Sequence, residues 1–329
     1  MKHVWLAAGL WACSGGHGEG RSAGSNQESA SGAPASPRQG QTLTIKGSDT
    51  MVILAQRWAE AFMAANPGTS VQVSGGGSGT GIAALMNGTT DLATSSRPMR
   101  DRERQELRRT RNVDAVETAV ALDALAVYVH TSNSLPALTL EQLKAIYRGR
   151  IRNFREVGGP DRPIVLYSRE NNSGTYAYFK EHVLGEEDFA PETQTLPGTS
   201  AVVNAVARDP NGIGYGGIAY AEGIRSVPLL GADGQPVEAT LQNATSRRYP
   251  LARHLYIYSP GTPEGLARRF LDFVVSPAGQ NVVEGVGYYP LAPSTGQATG
   301  SGHAAGSPAP ESDVPTTTNV PLGEQLRGS

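Results

Sequence analysis

Two spacings of hydrophobic residues recur in the first part of the chain. In residues 42–47 (TLTIKG) apolar side chains alternate with polar ones, whereas Met51, Trp58 and Phe62 belong to a run with apolar side chains three or four positions apart. The first spacing predicts a strand and the second a helix. Asn66-Pro67-Gly68 supplies the stop signal for that helix.

The same strand-then-helix order is repeated twice in the next fifty residues. VQVS (71–74) leads through a glycine-rich run into a short helix that is predicted to end at Gly88. DLATSS (91–96) leads into a helix after Pro98, which is a favoured residue at a helix start.

Farther along, helices are predicted after the N-cap Thr139 and from about Ser173. Two longer apolar segments, 119–130 (AVALDALAVYVH) and 251–259 (LARHLYIYS), have the length and composition of buried strands. Because strands alternate with helices throughout, we predict an α/β architecture with largely parallel sheets.

Length and charge narrow the functional classes. A chain of 329 residues with 39% hydrophobic residues is long enough for two domains with real cores. Its net charge of −2 provides no basic surface for nucleic acid. The arginines between Arg100 and Arg111 alternate with Asp and Glu, which predicts a solvated helix face. Binding of nucleic acid is therefore not expected.

Both ends of the chain differ in composition from the middle. Residues 1–13 begin with a cation, continue as an apolar run and end at Cys13. This order resembles a bacterial lipoprotein signal with an acylated cysteine, while an ordinary secretory signal and an apolar cytosolic start stay open as alternatives. Residues 14–40 and 293–329 are rich in Gly, Ser, Pro and Ala and predict a disordered tether and a disordered tail.

Four predicted strand-to-helix junctions share one chemistry, since each combines small residues, hydroxyl groups and free backbone amides. They are Gly47-Ser48-Asp49-Thr50, Gly77-Ser78-Gly79-Thr80-Gly81, Thr94-Ser95-Ser96-Arg97 and Asn172-Ser173-Gly174-Thr175. One such junction is usually no more than a helix cap. Helix N-termini nevertheless carry unpaired N–H groups and partial positive charge, and the carboxyl ends of parallel strands meet at one edge. With Arg169 close by, the set predicts a site for a small oxyanion.

Motifs for other chemistry fail at a required position. Gly76–Gly81 has the spacing of a P-loop, but Ile82 stands where lysine is needed. Thr80 occupies the last glycine position of a nucleophile elbow around Ser78. The match of Gly79–Ala84 to a dinucleotide pattern lacks the acidic residue at a following strand end. The six histidines show no metal-binding spacing, so neither a metal nor a cofactor is expected.

Six motifs follow one another along the chain: GSDTM (47–51), GGGSGTGI (75–82), SSRPM (95–99), LTLEQLKAIYRGRIRNFREVGG (138–159), SRENNSGTYAYF (168–179) and NGIGYGG (211–217). This ordered set, over about 41–291, resembles the phosphate-binding proteins of bacterial ABC phosphate importers. The resemblance implies a type 2 periplasmic-binding-protein fold, in which two α/β lobes joined by two crossing strands hold the ligand between them. The lobes would comprise 41–122 with 254–292, and 123–253.

The resemblance also implies the residues that contact the ligand. They are Ser48, Asp49, Thr50, Ser78, Gly79, Thr80, Ser96, Arg97, Arg169, Ser173, Gly174 and Thr175. Well-known members of the family place an Asp at the position of Ser96, where it accepts a hydrogen bond from a proton of the bound phosphate. Here Asp49 is the nearest candidate for that acceptor, or it only caps the first helix. A buried carboxylate accepts a hydrogen bond from a protonated phosphate but repels sulfate, so the role of Asp49 bears on selectivity.

The function that the resemblance implies is extracytoplasmic capture of inorganic phosphate and its delivery to an ABC permease. The protein would be a monomer without catalytic activity, located in the periplasm or at the cell surface and anchored by a lipid on Cys13. Three alternatives remain: a binding protein for another tetrahedral oxyanion such as sulfate, a phosphoryl-transfer enzyme that uses Ser78 or Thr50, and a surface or sensory protein that reuses the fold.

Overall fold

The computed structural model describes residues 41–291. The predicted signal with Cys13, the predicted tether at 14–40 and the predicted tail at 293–329 lie outside the described residues. None of the helices between residues 41 and 291 combines the length and the apolar character that crossing a membrane requires.

Strands and helices alternate over most of the described chain, as the hydrophobic spacing predicts. The strands are β1 (Gln41–Gly47), β2 (Thr69–Ser74), β3 (Leu92–Ser95), β4 (Ala115–Val129), β5 (Val165–Arg169), β6 (Gln194–Leu196), β7 (Gly212–Gly217), β8 (Arg225–Val227), β9 (Leu229–Leu230), β10 (Pro236–Val237) and β11 (Ala252–Pro260). The helices are α1 (Val52–Ala65), α2 (Ser78–Met86), α3 (Asp101–Arg111), α4 (Leu140–Tyr147), α5 (Gly174–His182), α6 (Gly198–Arg208), α7 (Leu241–Thr245), α8 (Gly265–Val275) and α9 (Pro277–Val286).

The main sheet has the strand order β2-β1-β3-β11-β4-β7-β5-β6, with β8 also paired to β4. β1 runs parallel to β2 and β3, and β5 runs parallel to β6 and β7. The two central strands, β11 and β4, are antiparallel to each other and to their outer neighbours. The predicted α/β architecture is confirmed, but the expectation of largely parallel sheets is wrong at the centre. The reason is that the chain crosses in one direction along β4 and returns along β11.

The two largest hydrophobic cores lie on either side of these central strands. The first packs Trp58 and Phe62 of α1 against Phe270 of α8 and against α9. The second is centred on Tyr147 and Phe179, whose rings contact one another across α4 and α5. We refer to the parts of the chain around these cores as the first lobe and the second lobe.

Helix starts in the second lobe are capped by the side chains that the sequence indicates. Thr139 Oγ1 accepts a hydrogen bond from Gln142 N at 2.9 Å, and the Gln142 side chain accepts one from Thr139 N at 2.9 Å. Ser173 Oγ accepts hydrogen bonds from the backbone N–H groups of Thr175 and Tyr176. Because these bonds satisfy amides that a helix leaves unpaired, they fix where α4 and α5 begin.

The strand β4 has 15 residues and belongs to both lobes. Its part from Ala115 to Ala124 pairs with β11, and its part from Leu125 to Val129 pairs with β7. The predicted crossing segments, 119–130 and 251–259, coincide with β4 and β11 to within a few residues. The lobes are therefore joined by two strands that are hydrogen-bonded to each other.

Candidate functional site

The small-residue junctions of the sequence meet between the two lobes. Thr175 Oγ1 of the second lobe lies 2.8 Å from Thr50 Oγ1 and 3.4 Å from Ser96 Oγ of the first lobe. Ser96 Oγ lies 3.4 Å from Ser78 Oγ, and Ser96 N donates to the same Ser78 oxygen at 3.1 Å. All four side chains are buried. We refer to Thr50, Ser78, Ser96 and Thr175 as the hydroxyl cluster.

The fold brings these hydroxyls together through the ends of neighbouring strands. β1 ends at Gly47 and β3 ends at Ser95, and because the two strands are parallel neighbours their carboxyl ends lie side by side. Ser78 is the first residue of α2, and Thr175 lies in the first turn of α5. The cluster therefore gathers helix N-termini, which supply unpaired N–H groups and partial positive charge.

A charged pair spans the lobes beside the hydroxyl cluster. Arg169 Nη2 lies 2.7 Å from Asp49 Oδ2, and Arg169 Nη1 donates to Thr199 Oγ1 at 2.8 Å. The Arg169 side chain is 2% exposed, and its buried Nε has no hydrogen-bond partner among the described residues. Burial lowers the pKa of Arg169, and the charge of Asp49 opposes that shift. An arginine stays cationic in proteins, so the site keeps one permanent positive charge with a spare donor.

Asp49 connects two loops rather than capping a helix. Its Oδ1 accepts a hydrogen bond from Gly76 N at 2.7 Å, while its Oδ2 faces Arg169. Neither oxygen bonds an amide at the start of the first helix among the described hydrogen bonds, so the helix-cap alternative does not describe this side chain. The Asp49 carboxylate instead ties the glycine-rich loop of its own lobe to the arginine of the other lobe.

The glycine-rich loop lets a backbone segment of the second lobe come very close. Gly79 N donates to Asn172 O at 2.9 Å, and Asn172 Nδ2 donates to Gly76 O at 3.1 Å. A Cβ at Gly77, whose φ is +90°, would lie 2.6 Å from Asn172 O. Small residues are therefore required here because the opposite lobe packs directly on this loop.

Gly174 is a second place where a side chain has no room. A Cβ there would collide with Ser78 Oγ and would lie 2.7 Å from Ser96 Oγ. The glycine thus allows the start of α5 to approach the hydroxyls of the first lobe.

The structure directs Arg97 away from the hydroxyl cluster. Its guanidinium donates to both carboxylate oxygens of Glu103, at 2.8 and 2.7 Å, and to Pro98 O. Burial disfavours the ionised form of Glu103, but hydrogen bonds from Arg97 and from the Arg100 backbone hold its pKa below the ordinary value. Arg97 is therefore committed to an ion pair at the start of α3.

The remaining predicted residues surround the cluster without joining it. Ser48 N donates to the carbonyl and the hydroxyl of Thr94, each at 3.0 Å. Ser173 uses its hydroxyl as the N-cap of α5, and Thr80 Oγ1 lies 3.5 Å from Asn172 Nδ2. With Gly79, they shape the loops on which the cluster stands, and their part in ligand contact stays a prediction.

Sequence reasoning assigned no role in the site to four residues that lie next to it. Thr199 follows Gly198 at the start of α6, so it carried the same signal as the four junctions and could have been found. Asn172 lies inside a recognised motif, but its backbone contact has no sequence signature. Asp123 and Arg253 form a buried ion pair with a separation of 130 positions, and nothing local marks them as partners.

Open surface cavities of the described residues lie away from the hydroxyl cluster. Two adjoining surface cavities run along β11 and share the lining residues Tyr178, His182, Arg253 and His254. The hydroxyl cluster is instead sealed between closed lobes, as its burial requires. Between residues 41 and 291, no group of three or more His, Cys, Asp and Glu side chains is arranged to hold a metal ion.

Comparison with known proteins supports the family that the sequence motifs resemble. The model of the PBP superfamily domain matches residues 31–278. The chain is 37% identical over 267 residues to the phosphate-binding protein PstS of Pseudomonas aeruginosa PAO1, covering 76% of this chain and 83% of that protein. It is 33% identical over 276 residues to PstS of Bacillus subtilis 168, covering 83% of this chain and 87% of that protein.

Solved structures show the same fold. A Clostridium perfringens ABC transporter substrate-binding protein with bound phosphate superposes with a TM-score of 0.70 at 30% identity, covering 77% of this chain and all of that chain. An ABC-type phosphate transport receptor from Vibrio cholerae superposes with a TM-score of 0.62 at 27% identity, covering 75% of this chain and 99% of the other. The resemblance noted in the sequence and the two-lobed fold are thereby confirmed. The chain belongs to the PBP superfamily and, within it, to the family of the PstS phosphate-binding proteins.

Proposed function

We propose that this protein captures inorganic phosphate outside the cytoplasm, between its two lobes, and delivers it to an ABC permease. The observation that carries the proposal is the buried hydroxyl cluster, which gathers helix N-termini of both lobes beside Arg169. Such an arrangement supplies many hydrogen-bond donors and a permanent positive charge in a small volume, which suits a compact oxyanion. The names of the relatives, phosphate-binding protein PstS, support phosphate as that anion.

Binding proceeds by closure of the lobes about β4 and β11. We assign 41–122 with 254–292 to one lobe and 123–253 to the other, and the two largest hydrophobic clusters, each drawn mostly from one of these parts, support this division. With the lobes apart, the anion first meets Thr50, Ser78 and Ser96. Arg169 and the start of α5 then close over it. Closure excludes water, which strengthens each hydrogen bond to the anion.

The twelve residues predicted from the sequence divide by role in this proposal. The hydroxyls of the cluster and the amides at the helix starts donate to the anion, and Arg169 donates with its guanidinium. Arg97 contributes through its backbone only, because its side chain is held by Glu103. Asp49 serves as the acceptor of a hydrogen bond from a protonated ligand, since its carboxylate contacts Arg169.

A second candidate ligand is another tetrahedral oxyanion, such as sulfate. The observation that favours it is Ser96, whose hydroxyl stands where a carboxylate acceptor is expected in this family and lies within 3.4 Å of two other hydroxyls. A hydroxyl can donate to a fully ionised anion, whereas a carboxylate cannot. Selectivity for phosphate then depends on Asp49.

Calorimetry on the full-length chain, after exhaustive removal of phosphate, tests both candidates. We expect tight binding of phosphate at pH 7 that a large excess of sulfate does not displace. Binding of sulfate with comparable affinity would contradict the assignment of Asp49 as the selective acceptor. If neither phosphate nor sulfate produced a heat of binding, the assignment of an oxyanion site would be overturned.

We further propose that the protein is a monomer without catalytic activity and that a lipid on Cys13 anchors it. The sequence around Cys13 supports the anchor. The sequence motifs do not include a nucleophile paired with a base, which supports a purely binding role. Labelling of cells with a radioactive fatty acid tests the anchor: the chain should incorporate label, and Cys13→Ser should abolish it. Label that persists in the variant would contradict the assignment.

A further inference from the structure

A second buried ion pair lies where the lobes join, away from Arg169. Asp123 on β4 and Arg253 on β11 are directly opposite each other in the antiparallel register. Arg253 Nε and Nη2 donate to Asp123 Oδ2 at 3.0 and 2.9 Å, and Ile218 N donates to Asp123 Oδ1 at 3.2 Å. The side chains of Arg253 and Asp123 are 3% and 0% exposed.

Stability alone is a weak reason for such a pair. Moving two charges out of water costs several kcal/mol per ion, and well-packed apolar residues often replace a buried pair without loss. A buried pair that makes a further specific contact is a candidate for a role beyond stability. Arg253 makes such a contact, because its Nη2 also donates to Thr175 Oγ1 at 3.0 Å.

That contact determines what the Thr175 hydroxyl can do. A hydroxyl has one hydrogen to donate, whereas a guanidinium can only donate. When Arg253 occupies one acceptor position of Thr175 Oγ1, the hydroxyl hydrogen remains free to point toward oxygens on the other side. Thr50 Oγ1 and Ser96 Oγ lie 2.8 and 3.4 Å from Thr175 Oγ1. We refer to β4 and β11, which join the lobes, as the hinge strands. The hydrogen bond from Arg253 on β11 therefore favours the orientation in which the Thr175 hydroxyl donates into the hydroxyl cluster.

The same arginine also contacts the helix that carries Thr175. Its guanidinium carbon lies 5.2 Å from the centre of the Tyr178 ring, one turn farther along α5. Two contacts to one helix hold its first turn against the hinge strands. Asp123, in turn, keeps the guanidinium in that orientation by accepting two of its hydrogen bonds.

We propose that Arg253, oriented by Asp123, is a positioning residue of the anion site that fixes the Thr175 hydroxyl as a donor to the bound anion. The proposal rests on the proposed function, because it requires an oxyanion in the hydroxyl cluster. It adds a link between the hinge strands and the ligand: Arg253 acts through Thr175 and does not itself touch the anion.

A double-mutant cycle on the full-length chain, with inorganic phosphate as the titrant in calorimetry, tests this link. The pair is removed together, as Asp123→Asn with Arg253→Met, so that no unpaired charge is left buried. The asparagine that replaces Asp123 can still accept the hydrogen bond from Ile218 N. We expect this variant to bind phosphate about tenfold more weakly than the wild type, the usual cost of one charge-assisted hydrogen bond.

The decisive comparison repeats the change in two other backgrounds. In Thr175→Val, which lacks the hydroxyl, removal of the pair should weaken binding less than about twofold, because coupled residues are non-additive. In Thr175→Ser, which keeps the hydroxyl, the loss should again be about tenfold. An equal loss in the valine background would overturn the proposal, since the pair would then act on the hinge in general.

Two controls distinguish positioning of Thr175 from a general loss of stability at the hinge. Tyr249→Phe removes a buried hydrogen bond from the Tyr249 hydroxyl to Leu125 O at the same hinge and should lower thermal stability without changing phosphate affinity. If the double variant does not fold, Arg253→Lys gives the second test. It keeps the charge but loses the forked geometry, so it should weaken binding in the wild type and not in Thr175→Val. A wild-type chain that binds neither phosphate nor sulfate would overturn the proposed function together with this inference, whereas wild-type binding with additive losses would overturn the inference alone.

Discussion

The two buried Arg–Asp pairs have the same chemistry and different surroundings. Arg169–Asp49 and Arg253–Asp123 each join an arginine of one segment to an aspartate of another at 2.7 and 2.9 Å. Each arginine also donates to a threonine hydroxyl, Thr199 in one case and Thr175 in the other. Each keeps one buried nitrogen without a hydrogen-bond partner within residues 41–291.

The difference lies in what holds the partners. Asp123 and Arg253 sit on strands that are hydrogen-bonded to each other, so the register of the two strands sets the distance between them. Asp49 and Arg169 belong to opposite lobes, and Asp49 is 19% exposed. In the proposed closure, the Arg169–Asp49 pair is one of the contacts that form as the lobes come together. One pair is therefore held by strands that are already paired with each other, whereas the other pair is itself a contact between the two lobes.

The largest expected effect is on stability at the hinge. Asp123→Asn leaves Arg253 buried without a counter-ion, and we expect the free energy of unfolding to fall by about 3–5 kcal/mol. Asp49→Asn is the matched control, and we expect a smaller loss because Asp49 is 19% exposed and its pair joins the two lobes. Guanidinium unfolding curves measure both. Similar losses for the two variants would remove the distinction between the pairs.

Arg169→Met should have the largest effect on binding. It removes the permanent positive charge of the site, so phosphate affinity should fall by about 100-fold or more, equivalent to about 2.7 kcal/mol. Arg169→Lys should recover part of the loss, because it restores the charge without the planar fork. Calorimetry with phosphate gives the values, and thermal unfolding of the same samples shows that the variants are folded. A loss below about fivefold would contradict the role of Arg169.

Asp49→Asn should change selectivity more than affinity. The substitution removes the negative charge that opposes a fully ionised anion, and we expect the ratio of the sulfate to the phosphate dissociation constant to fall about tenfold. Competition calorimetry at pH 7 measures that ratio. An unchanged ratio would mean that selectivity comes from elsewhere in the site and that Asp49 serves only to pair with Arg169.

Asn172→Ala should have the smallest effect, because it removes one side-chain contact to the glycine-rich loop and leaves the backbone bond from Gly79 in place. We expect phosphate affinity to fall about threefold, with unchanged stability, since the contact exists only between closed lobes. Gly77→Ala should weaken binding more than Asn172→Ala does, because its added Cβ would clash with Asn172 O. If both variants bind like the wild type, contact between the loop and Asn172 does not contribute to closure.

Local patterns predicted most elements of the fold but not their relative directions. The alternation in 42–47 and the helical spacing from Met51 correspond to β1 and α1. The antiparallel pairing of β4 with β11 could not be predicted, because the sequence of a strand does not indicate the direction of the strand beside it. That pairing follows from the chain crossing between lobes twice, which is a property of the whole topology.

The residues of the candidate site could likewise be predicted only in part from the sequence. Hydroxyl-rich helix starts are local features, and Ser78, Ser96 and Thr175 do lie together in the structure. Arg97 looked equivalent to Arg169 by its position next to a junction, yet Glu103 holds it at the start of α3. The two arginines differ in their partners in the tertiary structure: Arg97 pairs with Glu103, and Arg169 pairs with Asp49 beside the cluster.

Local sequence was enough to predict the order of strands and helices, the hydroxyl and glycine chemistry of the helix starts and the family, because these depend on neighbouring residues and on ordered motifs. Which of these groups meet depends on the tertiary structure. It placed Asp49 against Arg169 over 120 positions and Asp123 against Arg253 over 130. Charged side chains attract at short range whatever their separation along the chain, so only the packed lobes bring such partners within reach of each other.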